Sequence, residues 1–283
     1  DARAAIEVTK AQVATTQAQK KTLLTESQNK SKTYSQVIAD RQAKAAQIRV
    51  ALFGLRDAEA IPFGTALEYA NTASRSTGVR PALILAILTQ ESKLGANIGS
   101  CYVKDLQTGN GVGKNTGRPF ERVMYSDTSR PSDTVPFVSI SERLGRIWSV
   151  TPVSCPPDPY GDGKYFPNRG FGGAMGPSQF IPSTWELYKK RIGVVFNIDA
   201  DQANPWNANH AVTATAFLMK DNGASGGAYT AEWNAACKYY SGSSCPSGKK
   251  TYTRREAEIR TYGNSVLQLT ETIQANIDFL QGA

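Results

Sequence analysis

From Pro81 to Leu88 the chain reads PALILAIL, with no polar position. The run is too short to span a bilayer, which takes roughly 20 apolar residues. It is also too uniform for a surface helix, so it predicts a helix buried on most sides, with Pro81 in the first turn, where proline is best tolerated. Around it the pattern is one-sided. TALEYANTASRSTGV (65–79), PSTWELYKKRIG (182–193) and NANHAVTATAFLMKDNG (207–223) each space apolar residues by three or four, as amphipathic helices do. No stretch alternates apolar and polar residues as a strand would, so the expected class is mainly α.

The two ends of the chain carry weaker stripes. Residues 1–53 hold neither Gly nor Pro, and their apolar positions are sparse: Ile6, Val13, Leu23, Leu24, Val37, Ile38, Ile48 and Leu52. One helix of this length would extend about 75 Å; the alternative is a hairpin turning near TESQNKSK. At the other end Tyr262, Val266, Leu269, Ile273, Ile277 and Leu280 step by three or four, a coiled-coil-like seam. Both ends read as one helical stalk. The expected organisation is a stalk over 1–58 and a main domain over 59–283, separated by Gly54 and the AIPFG turn. The C-terminal helix, about 262–281, is expected to pack on the stalk. Residues 96–171 are punctuated throughout by Gly, Pro, Asn, Asp and Ser, and only VSISERLGRIW (138–148) looks helical. This predicts a loop-rich insertion at about 100–170.

Composition narrows the setting. A net charge of +8 suits an anionic partner, but no Lys/Arg run interleaved with aromatics appears, which argues against nucleic acid. No transmembrane segment is present. A chain opening on Asp without a signal peptide reads as a mature or trimmed product. The four cysteines, Cys101, Cys155, Cys237 and Cys245, form no CxxC pair, and the one histidine, His210, reads as a packing or capping residue. That disfavours a metal centre. DPYGDG (158–163) lacks the alternating ligands of a calcium loop and reads as a turn. Two disulfides fit better than free thiols and imply an oxidising, extracytoplasmic location. Of three pairings, Cys101–Cys155 and Cys237–Cys245 are favoured, because each closes a turn-rich segment.

The candidate chemistry starts just past the apolar run, in TQESKLG. On a helix Glu91 shares a face with Ile84, Ile87 and Leu88. Burial disfavours an ionised carboxylate and raises its pKa, and a carboxyl group still protonated near neutrality is what a general acid requires. The competing reading is a helix-end Glu turned to solvent beside Lys93. The second stretch is GGAMGPSQFIPSTWELY (172–188). Its glycines permit close backbone approach to a ligand, Gln179 both donates and accepts hydrogen bonds, Phe180 and Trp185 offer flat apolar faces, and Ser183 is a cap candidate.

Together, ESKLG and GGAMGPSQFIPSTW resemble the lytic murein transglycosylase family, on the lysozyme-like fold. NPWNANHAVTATAFLMKDNG, AACKYYSG and YGNSVLQL continue the resemblance, which covers roughly residues 65–270. It implies that Glu91 is the catalytic acid and base, with Ser92 supporting it. It further implies that Gly176, Gln179, Phe180 and Tyr239 form the substrate site, together with Tyr240, which stands where the family pattern has Asn. Either Tyr239 or Tyr240 faces the cleft. The implied reaction needs no cofactor. Glu91 protonates the oxygen joining N-acetylmuramic acid to N-acetylglucosamine, the substrate's acetamido group stabilises the cationic centre, and Glu91 then takes the proton of the C6 hydroxyl. The product is a 1,6-anhydromuramoyl end. Asp105, Glu121, Glu142, Asp158 and Asp162 lie in the insertion and read as solvated surface; a second carboxylate among them would permit hydrolysis instead. The implied partner is the peptidoglycan glycan strand, with the stalk available for a protein partner or self-association. The alternatives are a muramidase using the same acid, or a non-catalytic wall-binding or scaffolding protein.

Overall fold

The computed structural model describes residues 15–30, 32–33, 36–37, 60–127, 132–158, 161–164 and 170–281. The chain divides into two compact units, Asp1–Leu52 and Phe53–Ala283. In the first, every described residue is helical, including the stretch 25–30 considered for a hairpin turn. Leu23 and Leu24 are exposed. Ile6, Val13, Ile38, Ile48 and Leu52 of the expected stripe lie outside the described residues, as does the Gly54 boundary.

The second unit is built around the apolar run. Helix α1 (Phe63–Thr77) buries Phe63, Ala66, Ala70, Ala73 and Thr77, a stripe with steps of three and four. Helix α2 (Pro81–Ser92) carries proline in its first turn and buries every residue from Ala82 to Thr89. Such all-round burial requires neighbours on all sides, and α2 packs against α1, α5 (Ala208–Asp221) and the C-terminal helix α7 (Arg254–Gln281). Helix α6 (Tyr229–Ser241) lies against α7. At the start of α2, Arg80 donates to both carboxylate oxygens of the fully buried Glu232 on α6, at 2.8 and 2.6 Å, and to Glu271 on α7 at 3.0 Å. One guanidinium therefore ties three helices together, and its pairing satisfies a carboxylate that would otherwise be costly to bury.

The seam of α7 is turned onto α2 and α6. Ile259, Tyr262, Gly263, Val266, Thr270, Ile273 and Ile277 are buried along it, while Leu269, read as part of the seam, is only half-buried. Gly263 has a steric cause: a Cβ there would lie 2.6 Å from Cys237 Sγ. The Cys237–Cys245 disulfide presses directly against the helix.

The described part of the insertion carries a small sheet and a helix. Three strands, β1 (Cys101–Val103), β2 (Gly111–Gly113) and β3 (Pro119–Phe120), form an antiparallel sheet in the order β1-β2-β3. Tyr102 pairs with Val112, and Val112 with Pro119. Strands this short carry no readable alternation, which is why the sequence pattern missed them. The expected helix at 138–148 is instead α3 (Thr134–Arg143), shifted four residues earlier. Pro136 fits its first turn, and Gly145 at φ +67 follows its end. The Cys101–Cys155 disulfide joins the two ends of this region. Val103, Phe120, Met124, Phe137 and Ile140 share one apolar cluster with Met175, Phe180 and Trp185.

Helix α4 (Pro182–Phe196) begins with Pro182, and its capping partner is not Ser183. The backbone N–H of Ser183 donates to Asp133 Oδ1 at 3.0 Å, so the insertion supplies the cap from 50 residues upstream. Among the described residues, no helix is long and apolar enough to cross a membrane.

Candidate active site

Glu91 sits in the last turn of α2. The helix stops there because Lys93, Leu94 and Gly95 all adopt left-handed backbone, with φ of 52°, 55° and 86°. The N–H of Leu94 reaches back to the carbonyl of Leu88 at 3.1 Å, closing the helix end. The next residue, Ser92, is 2% exposed, and its hydroxyl donates to the carbonyl of Pro177 at 2.5 Å while accepting from Gly95 N–H at 2.8 Å. Ser92 therefore joins the end of α2 to the Gly-rich loop.

The loop itself is closed by pairing between Met175 and Phe180. At its tip Gly176 has φ +63, and a Cβ there would lie 2.0 Å from the carbonyl oxygen of Pro205. Gly172 is crowded in the same way by the carbonyl of Ser154. These glycines make room for the protein's own backbone. Gln179 takes a left-handed φ of 51°, and its amide donates to Gly176 O at 2.8 Å, so its side chain folds across the loop. Phe180 is 3% exposed and Trp185 fully buried. Neither presents a face to a sugar: Phe180 instead meets Trp185, Tyr188 and Tyr239 edge-on, with centroids 5.8, 5.8 and 6.0 Å away.

The two tyrosines of AACKYYSG part company. Tyr239 points inward, and its hydroxyl donates to the carbonyl of Ser178. Ser178 is in turn held by Ala211 and Thr215 of α5, at 2.9 and 2.7 Å. Tyr240 lies on the outside, 42% exposed.

Tyr262 opens the YGNSVLQL stretch and lies in the seam, with no site role assigned from sequence, yet its side chain touches the carboxyl group. Its hydroxyl donates to Glu91 Oε1. A signal was present: a tyrosine in an otherwise aliphatic buried stripe brings a hydroxyl that needs a partner.

Burial pushes the Glu91 carboxyl up to about 7, against the opposing pull of the Tyr262 hydrogen bond. No other carboxylate among the described residues takes part in that shift. Burial, followed by the nearby charge of Glu91, holds the hydroxyls of Tyr239 and Tyr262 far above the ordinary tyrosine range, so both stay protonated. The site thus presents one carboxyl group poised near neutrality, with two phenols nearby that stay protonated. Beside it opens a groove of about 570 Å³ walled by Tyr262, Tyr240, Gln90, Thr261 and Ser265, with the Arg254–Glu258 ion pair at 3.2 Å along its edge.

Other candidates fall elsewhere. Asp105 accepts from Gln107 N–H and the Thr108 hydroxyl in a tight turn, and Asp158 pairs with Arg118. Pro159 and Tyr160 of DPYGDG lie outside the described residues. His210 Nδ1 accepts from Asn204 N–H at 3.1 Å, its ring packs on Phe196, and burial lowers its pKa, consistent with a packing role. Both favoured disulfides, Cys101–Cys155 and Cys237–Cys245, are formed. Among the described residues no group of three His, Cys, Asp or Glu side chains is placed to hold a metal ion.

No protein-family model matches the sequence, and no curated protein matches it. Among solved structures, the chain matches that of a lytic transglycosylase from Escherichia coli in complex with calcium. The match covers 82% of this chain and 75% of that one, at 15% identity and a TM-score of 0.48.

Proposed function

We propose that the chain cleaves peptidoglycan glycan strands as a lytic transglycosylase, with Glu91 as acid and then base. The observation that carries this reading is a lone carboxyl group, raised to about 7, at the end of a buried helix. A group with that pKa is substantially protonated at neutral pH and can also accept the proton back. In the first step Glu91 gives its proton to the glycosidic oxygen as the bond to N-acetylmuramic acid breaks. Its Oε1, which accepts from Tyr262, is held in place for this transfer. The substrate's acetamido oxygen stabilises the cationic centre. Glu91, now a carboxylate, removes the proton from the C6 hydroxyl, whose oxygen closes the 1,6-anhydro ring. One carboxyl group suffices because the nucleophile belongs to the substrate, whereas ordinary glycosidases need a second.

Ser92, Gly176 and Gln179 support the reading by fixing the loop against the end of α2, and Tyr239 by facing the carboxyl group. The disulfides favour an extracytoplasmic location, where the glycan is found.

The test is the mass of the fragments released from purified peptidoglycan. Anhydromuramoyl ends are expected, and Glu91→Gln should lower their release by about 10²–10⁴-fold. Hydrated, reducing ends alone would instead identify a muramidase, with water as the nucleophile. Release that Glu91→Gln leaves untouched would mean that Glu91 is not catalytic or that the lysis has another source; only in the second case does the wall-binding reading stand.

A further inference from the structure

Between Tyr240 and Glu91 stands a single side chain, Tyr262. The Tyr240 ring stacks on the Tyr262 ring at 4.7 Å between centroids, with 15° between planes. The far end of the stack is also fixed. Arg255 lies over the Tyr240 ring at 5.0 Å, and its Nη1 donates to the Tyr240 hydroxyl at 3.3 Å. Arg255 is itself 3.8 Å from Glu258. The order is Glu258, Arg255, Tyr240, Tyr262, Glu91, running from the surface groove to the half-buried carboxyl group. Tyr240 stands where the resembled pattern has an asparagine, which has no ring to stack.

We propose that Tyr240 is a positioning residue that holds the Tyr262 hydroxyl on Glu91 and so sets the acidity of the catalytic carboxyl group. This rests on the reading of Glu91 as the acid. A stacked ring restricts the rotation of its partner, and Tyr240 covers Tyr262 on the side where both line the groove. Without Tyr240, the Tyr262 ring loses its outer wall and opens onto the groove. Among the described residues, Tyr262 on α7 donates to Glu91, the charge of Glu91 reaches Tyr239 on α6, and Lys93 follows on its own turn. The Tyr262 hydrogen bond favours the ionised form, so loosening it raises the Glu91 pKa. Acid catalysis is lost as the carboxyl group ionises. A higher pKa therefore moves the alkaline limb of the pH–rate profile to higher pH.

The experiment measures anhydromuramoyl release from purified peptidoglycan across pH 5–9. Four variants of the full chain are compared: Tyr240→Asn, Tyr240→Phe, Tyr262→Phe, and Tyr240→Asn with Tyr262→Phe together. Tyr262→Phe removes the hydroxyl and should shift the alkaline limb upward. Tyr240→Asn should shift it the same way, by about half a pH unit or more. In the double variant Tyr240→Asn should add nothing, because the hydroxyl it positions is gone. Tyr240→Phe, which keeps the ring, should bring the limb back toward that of the unaltered protein. Tyr240 is partly exposed, so its replacement spares the core; thermal melts of each variant show whether a rate change is only lost folding, which would not move the limb. The proposal is overturned if Tyr240→Asn leaves the limb in place, or if its shift persists at full size in the Tyr262→Phe background. If Glu91→Gln retains full activity, it is the underlying reading of the acid that fails.

Discussion

The two walls around Glu91 are made differently. The Gly-rich loop is fixed by its own backbone and by buried partners: Ser92 to Pro177, Gln179 to Gly176, Tyr239 to Ser178, and Ser178 to α5. The α7 wall holds Glu91 by one phenol hydrogen bond, backed by a stack that ends in a half-open groove. A wall made of buried backbone bonds resists displacement, because each broken bond leaves an unsatisfied polar group. A wall made of side chains at a groove can be retuned at little structural cost. The loop wall sets where the carboxyl group stands, and the α7 wall sets how readily it gives up its proton.

The largest expected effect breaks the first wall. Gly176→Ala puts a Cβ 2.0 Å from the Pro205 carbonyl in a left-handed backbone, which should cost about 3 kcal/mol or more of stability. Chemical denaturation would read this as a lower midpoint, and an unchanged midpoint would deny the loop its rigidity. Next comes the carboxyl group itself. Its folded pKa of about 7 lies above the unfolded value, so the folded state binds the extra proton between roughly pH 4.5 and 7. Stability from this group is present below that window and lost as pH rises through it. Glu91→Gln should therefore be the more stable protein at pH 8, by about 2 kcal/mol after discounting for solvent, and nearly equal to the parent at pH 4. Paired melts at the two pH values decide it; a gain independent of pH would contradict the raised pKa. The smallest structural effect belongs to the α7 wall. Tyr262→Phe should cost about 1 kcal/mol, yet move the alkaline limb of activity upward where Gly176→Ala should not. If both variants shifted the limb equally, the division of labour between the walls would collapse.

Much of the fold was legible. The buried helix α2 shows as an unbroken apolar run, and the helices after it as stripes with the right period. Glu91, Ser92, Gln179 and Tyr239 sit in motifs with fixed spacing, and the structure gathers them around one loop. Composition misled where one residue type serves two ends. An aromatic ring that stacks on sugar and one that fills a core look the same in sequence, so Phe180 and Trp185 were read as platforms. Glycines that admit a ligand and glycines that admit a neighbouring strand of the same chain also look alike. The cap of α4 was misassigned to Ser183 because its true partner, Asp133, is 50 residues away. Tyr262 hid in a periodic stripe, where its spacing explained it too well for its hydroxyl to be questioned.

The shared apolar cluster of the insertion and the Gly-rich loop bears on how such a chain could be shortened or diversified. Met175, Phe180 and Trp185 share one apolar cluster with residues drawn from 103–140. Each large ring returned to water forfeits roughly 2–3 kcal/mol. The insertion is therefore not a detachable ornament beside the cleft. It and the loop are two halves of one casting, and a change in the volume of either side has to be matched by the other.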